Sequence, residues 1–292
     1  VLRIRFGPAD LARVTVAAAP DVLLETALSV RHLAAPASGP AARRGELAAW
    51  RRAVKPGLAA RAGILARLVP PAGYLPDFLY QPTARDAVTA AELAAQTPTP
   101  QLASDLNPLH TVAGASATRE LAQGSTTARR SLAEDLTRYH RSSLAPLWPA
   151  VLNVAAADRA LRSETLLRGG VEALLATLQP GWRWSPPDLL VPFATSHTVE
   201  LCGRGLHLMP SYFASSAMLI YDPSAPTVLV RPCRSPTPRH HQVTCSERCW
   251  AGPAPECWHL WPRPPGPRRS PSGPESRSPR PASTPLCCAR RA

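Results

Sequence analysis

No stretch of eighteen or more consecutive apolar residues occurs in the 292-residue chain, which excludes a membrane-spanning helix on length. The opening VLRIRFGPADLARV has no apolar run ahead of a small-residue cleavage site, so no secretory signal is read there. Position 1 is Val1, read as the start of a fragment or as a non-standard start codon. Cysteine is scarce through most of the chain: Cys202 and Cys233 are the only two up to residue 233, too few for a disulfide framework. These absences lead to the expectation of a cytoplasmic protein with no membrane partner. Over the same residues there is no phosphate-binding glycine loop, no GxSxG elbow, no HExxH and no paired CxxC. With the usual enzyme signatures missing, neither a cofactor nor catalysis is expected.

Lysine is almost missing too. Lys55 stands alone among 33 basic residues, and against 20 acidic ones the net charge is +13, nearly all from arginine. Aromatic residues make up only 5%, whereas prolines number 35. A cut after Cys233 divides these features unevenly. The first part has 23 basic and 17 acidic residues (+6); the last 59 residues have 10 basic and 3 acidic (+7). Those 59 residues also hold 13 of the prolines and 5 of the 7 cysteines, with no isoleucine, phenylalanine or tyrosine. Such a segment has too little apolar periodicity to bury a face, so the tail 233–292 is expected to be disordered.

The first part carries secondary-structure signals throughout. VLRIRF alternates as a strand does, and RVTVA at 13–17 is a second candidate, with at most a short helical turn between them. Leu23, Leu24, Ala27, Leu28, Val30 and Leu33 define one buried helix face, with Asp21 as its cap. Helical pattern returns in GELAAWRRAV and GILARLV and stops at Pro70 and Pro71. PPAGYLPDFLYQP then reads as a fixed loop around Tyr74, Phe78 and Tyr80, which caps the core or lines a pocket. Shorter helices follow over 83–125. Leu132, Leu136, Tyr139, Ser143 and Leu147 mark the clearest helix face, and helices over 150–168 and after Gly170 come next. Beyond Trp182 and Trp184 the period falls toward two: LLVP, TVELCGRGLHLMP, AMLIYDP and TVLVRP are strands. Val199 and Leu201 face Leu206 and Leu208 across the GRG turn as a hairpin. The class is α+β, with a helical middle and short strands at both ends of a domain over 1–232.

Few residues stand out chemically. His140 lies between Tyr139 and Arg141 on the strongest helix, an acid–base or anion-binding candidate, though a histidine beside arginines is ordinarily solvated or structural. Tyr74, Phe78, Tyr139, His140 and Trp148 form the candidate effector pocket. Asp158 and Arg159 read as an ordinary surface ion pair. In the tail, Cys245, Cys249, Cys257 and His259 could supply four zinc ligands. Their C-x3-C-x7-C-x-H spacing fits no paired knuckle, and no metal is expected. The tail arginines offer a salt-sensitive polyanion contact.

Five stretches taken in order carry a resemblance: VLRIRFGPADLARVTVAAAPDVLLETALS, LVPPAGYLPDFL, YHRSSLAPLWPAV, DRALRSETLLRGGVEALLATLQPGWRW and GRGLHLMPSYF. Together they span most of 1–232 and resemble the long N-terminal domain of ArsR-like winged-helix transcriptional regulators of actinobacteria. The resemblance implies a regulator that binds operator DNA through a winged helix-turn-helix, forms a homodimer, or answers to a small-molecule effector. The family's thiolate metal motif has no counterpart here. Nor does a winged helix follow, and the tail explains why if it is read as nucleic-acid text. GC-rich codons for CSERCWAGPAPECW, read from the third base, can spell QRALLGRTRAGVL. PSGPESRSPRPASTPLCCARRA can spell PERAGVTQPQTSKHTAVLREAG in the same frame. Both resemble winged-helix segments of the family, so a frameshift between about Cys233 and Cys245 is expected, with the DNA-binding residues themselves unknown.

Overall fold

The computed structural model describes residues 1–34, 44–109 and 115–233. The expected disorder of the tail, and the zinc candidates Cys245, Cys249, Cys257 and His259, lie outside these residues.

Strand β1 (Leu2–Arg5) follows its alternation: Leu2 and Ile4 are buried while Arg3 and Arg5 face outward. A single helical turn, α1 (Pro8–Leu11), separates it from β2 (Val14–Val16), as the short intervening segment required. Next comes α2 (Val22–Ala34), which departs from the one-faced expectation because every residue from Val22 to Val30 is buried. A helix covered all round must satisfy its polar side chains internally. Thr26 Oγ1 donates to the Val22 carbonyl at 2.6 Å, and Ser29 Oγ reaches the Thr26 carbonyl at 2.7 Å and the Tyr139 hydroxyl at 2.9 Å. Asp21 caps the helix as expected.

The helical middle consists of α3 (Arg44–Val54), α4 (Leu58–Ala62), α5 (Leu65–Leu68), α6 (Ala87–Gln96), α7 (Thr99–Leu106), α8 (Ala115–Ala122) and α9 (Thr126–Tyr139). These pack with α2 around one core that includes Leu28, Leu65, Phe78, Leu102, Leu132 and Tyr139. After α9 the chain widens into a π-helical turn over His140–Leu144, where Ala145 N–H donates to the His140 carbonyl at 2.8 Å. Helix α10 (Trp148–Ala176) then runs to Gly170, whose φ of 71° breaks it into the two segments read from the sequence.

Strands β3 (Arg183–Ser185), β4 (Asp188–Val191), β5 (His197–Glu200), β6 (Leu206–Ser211), β7 (Met218–Ile220) and β8 (Thr227–Pro232) complete two sheets, ordered β3-β4-β1-β5 and β2-β6-β8-β7. This arrangement overturns the hairpin expected at 199–208. β5 pairs in parallel with β1, matching Val199 to Ile4, while β6 pairs in parallel with β2 and β8, matching Leu206 to Val14 and Leu208 to Leu229. The GRG segment therefore carries the chain from one sheet to the other instead of turning it back on itself. Gly205 makes the crossing possible, with φ of 83° and its N–H donating to Asp10 Oδ1 at 2.9 Å. A Cβ there would sit 2.4 Å from the Arg13 carbonyl oxygen.

The second sheet divides two cores. Met209, Val228 and Val230 join the helical core, whereas Leu206, Leu208 and Leu229 face Leu2, Ile4, Leu174, Leu175, Leu178, Leu189 and Leu201. Burial on both faces explains why TVLV reads as an unbroken apolar run. The chain is thus α+β, with helices in the middle and strands at both ends. Among the described residues no helix is long and apolar enough to cross a membrane.

Candidate functional site

The proline-rich loop after α5 is held by charged side chains from outside it. Arg31 Nε donates to the Pro70 carbonyl at 3.0 Å and its Nη2 to the Tyr74 carbonyl at 2.9 Å. Asp105 accepts from Phe78 N–H at 2.9 Å, and Asp21 from Gln81 N–H at 3.0 Å. So fixed, the loop puts Phe78 and Leu79 into the core and leaves Tyr74 38% exposed. Of the two alternatives read for it, core capping describes Phe78. Burial, then the nearby Asp77 and Asp105 charges, raise the Tyr74 phenol above its ordinary range. Burial and Asp21 push the Tyr80 phenol up to about 12, so both rings stay neutral hydrogen-bonding groups.

Tyr139 is fully buried and bonded to Ser29. His140 and Trp148 are brought together across the π-turn, their rings 5.6 Å apart and edge-on at 68°. Burial lowers the His140 imidazole below its usual range, and its buried Nε2 has no hydrogen-bond partner among the described residues. Of the five residues read as one pocket, only this pair meets as ring on ring, while Phe78 and Tyr139 are core residues.

Trp148 instead opens onto a groove of about 360 Å³ that sequence reading did not assemble. Four segments build it. Ala17 N–H donates to the Leu208 carbonyl at 3.0 Å, and residues 17–20 then turn from β2 into α2, ending in Asp21. Asp21 Oδ1 accepts from Leu23 and Leu24 N–H at 3.0 and 2.7 Å, and burial pushes its carboxyl up to about 6 against these bonds. His207 comes from β6, on the face opposite Leu206 and Leu208, and its Nδ1 lies 2.8 Å from Thr15 Oγ1 on the paired strand. Burial lowers the His207 imidazole as well, so it is neutral at pH 7. Arg85 is exposed at the rim, and Leu152, one turn after Trp148 on α10, is 40% exposed. A second depression of about 370 Å³ lies between Gly63, Arg67, Glu120 and Ser131 and has no aromatic among the described residues of its lining.

The signal for the groove was partial. His207 is a polar residue between the apolar Leu206 and Leu208, and Asp21 was legible only as a cap. Nothing in the residue pattern placed Arg85 beside them.

Other buried acids are fully occupied with structure. Asp10 accepts from Gly7 and Gly205 N–H at 2.8 and 2.9 Å, Glu25 from Tyr212 and Phe213 N–H at 2.7 and 3.2 Å, and Asp135 from Ile64 N–H at 2.7 Å. Asp158 corrects the expected surface pair with Arg159. It is 1% exposed and bonded to Arg231, at 3.1 Å through Oδ1 and a second contact through Oδ2, with Arg162 Nη2 at 3.5 Å. Helical spacing is the reason: Val151, Ala155, Asp158 and Arg162 share the inward face of α10, and Arg159 points away. No cluster of three or more His, Cys, Asp or Glu suited to a metal occurs among the described residues. Compared with known proteins, the chain matches no family model, no curated protein and no solved structure.

Proposed function

We propose that residues 1–232 are the effector or dimerisation domain of a transcriptional regulator of the ArsR-like winged-helix class, whose DNA-binding module has been lost from the expressed frame. One observation carries the reading: five family-like stretches keep their order over 1–232, and beyond them two segments decode in one alternative frame into winged-helix-like text. In support, each of the five stretches contributes residues to one or both cores, from β1 and α2 through Phe78, Tyr139 and α10 to β6, alongside core residues from the segments between them. A sensing domain of this kind needs no catalysis of its own. The deciding experiment is to sequence the gene across the codons for residues 230–250, restore the frame, and select binding duplexes from a random pool. The restored protein should enrich one operator-like sequence. Failure to enrich any sequence, or a gene with no frame junction there, counts against the reading.

An alternative of another class, a small-molecule-binding or enzymatic α+β domain, draws on the groove beside Trp148. Turnover of any ligand found there would favour it.

A further inference from the structure

We propose that the groove between Trp148, His207 and Arg85 binds an aromatic carboxylate of one or two rings. The inference rests on reading this region as an effector domain and names the class of effector. Size comes first. A cavity of about 360 Å³ lies at the small end of ligand sites, which run from roughly 300 to 1,000 Å³, and one or two fused rings fill it.

Shape and polarity come next. The indole of Trp148 is half-buried and braced by the His140 ring, while Leu152 continues the same wall one helical turn on and stays exposed. Ala17, with Met209 on the strand beside it, adds further apolar lining. A flat apolar body is what such walls cover best.

Charge selects the ligand's polar group. Among the described residues, three titratable side chains line the groove: Asp21, Arg85 and His207. Asp21 has both carboxylate oxygens committed to the N–H groups of Leu23, Leu24 and Gln81, so it is not available to a cation. His207 has Nδ1 committed to Thr15, which leaves Nε2 as the nitrogen free for a ligand. Arg85 makes no ion pair among the described residues, and a guanidinium on a rim matches a carboxylate through two parallel N–H bonds. The available groups are therefore one cation and one imidazole, which donates through Nε2 in the tautomer where Nδ1 accepts from the Thr15 hydroxyl; in that tautomer both suit an anion.

Calorimetric titration of the full chain tests this with three probes sharing one ring system: 1-naphthoate, 1-naphthylmethanol and 1-naphthylmethylamine. Saturable one-to-one binding is expected for the carboxylate, weaker binding for the alcohol and weakest for the amine. Arg85→Ala should weaken naphthoate by about tenfold, the scale of one charge-assisted contact, and leave the alcohol unchanged. Leu152→Glu, at an exposed position, should abolish both while circular dichroism stays that of the wild type. No saturable naphthoate binding, a preference for the alcohol or amine, or indifference to Arg85→Ala overturns the proposal. Calorimetry reads the groove alone, and duplex selection reads the regulator assignment alone, so either can fail without the other.

Discussion

Asp158 shows how much of this fold depends on single buried acids. Two guanidinium groups meet its carboxylate in a site closed to water, and Arg162 also donates to the Thr177 and Leu178 carbonyls at 2.7 and 2.8 Å, closing the second segment of α10 against the first. Removing the acid leaves buried positive charge without its counter-ion, so Asp158→Ala should lose about 3–5 kcal/mol in urea unfolding. A loss under about 1 kcal/mol would show that the pair is not closed to solvent. Asp77 acts in the other direction. Burial first, and the Asp105 charge second, push its carboxyl from 3.8 up to about 6, so the folded state holds the proton more tightly than the unfolded chain. The stability it contributes is complete below its ordinary value and is lost as pH rises through about 6. Unfolding free energy should therefore fall between pH 4 and 6 in the wild type, and less steeply in Asp77→Asn. Equal slopes in the two proteins would remove Asp77 from the account.

At the scale of elements, local pattern and long-range pairing part company at β5 and β6. Both strands were legible from alternation, as was the apolar face they share with Val171, Leu174, Leu175 and Leu178, and these residues do pack in one core. What alternation does not contain is the identity of the neighbour. A strand of period two offers the same edge to a hairpin partner as to a distant strand, and here β1 and β2, nearly two hundred residues away, take those edges. Gly205→Ala tests the crossing: a positive φ and the Arg13 carbonyl together should cost about 1–3 kcal/mol, read as a lowered thermal midpoint. Leu174→Ala should cost about 2–5 kcal/mol because Leu174 is fully buried where the sheets meet α10. An unchanged midpoint in either variant contradicts the placement described above.

For the whole molecule, the described residues between 1 and 233 build two apolar cores, and β8, seated between β6 and β7, leads to Cys233, whose N–H donates to the Ser211 carbonyl at 2.7 Å. A chain truncated after Cys233 should keep the thermal midpoint and the circular dichroism of the full chain, and a marked fall would show that later residues contribute to the cores. Binding to DNA is the complementary test. With a net charge of +13 the chain attracts phosphates, but base discrimination needs side chains held at base edges. On the proposed loss of the winged helix, duplex binding by the chain as it stands should weaken steeply with salt. It should also differ by less than about tenfold between sequences.

Composition and periodicity were enough to settle the α+β class, the cap at Asp21, the break at Gly170 and the inward faces of α9 and the end of α10, whereas the one face read for α2 proved to be part of a helix covered all round. Each of these depends on neighbours within a few residues, where helical and strand periods act directly. The partition into two sheets, the burial of Asp158 with Arg231, and the meeting of Trp148, His207 and Arg85 were decided by tertiary structure alone. The contacts that decide them, such as β1 with β5, β2 with β6 and Asp158 with Arg231, join residues far apart in the chain, and their partners are chosen by shape and charge complementarity between packed elements, which no local pattern records.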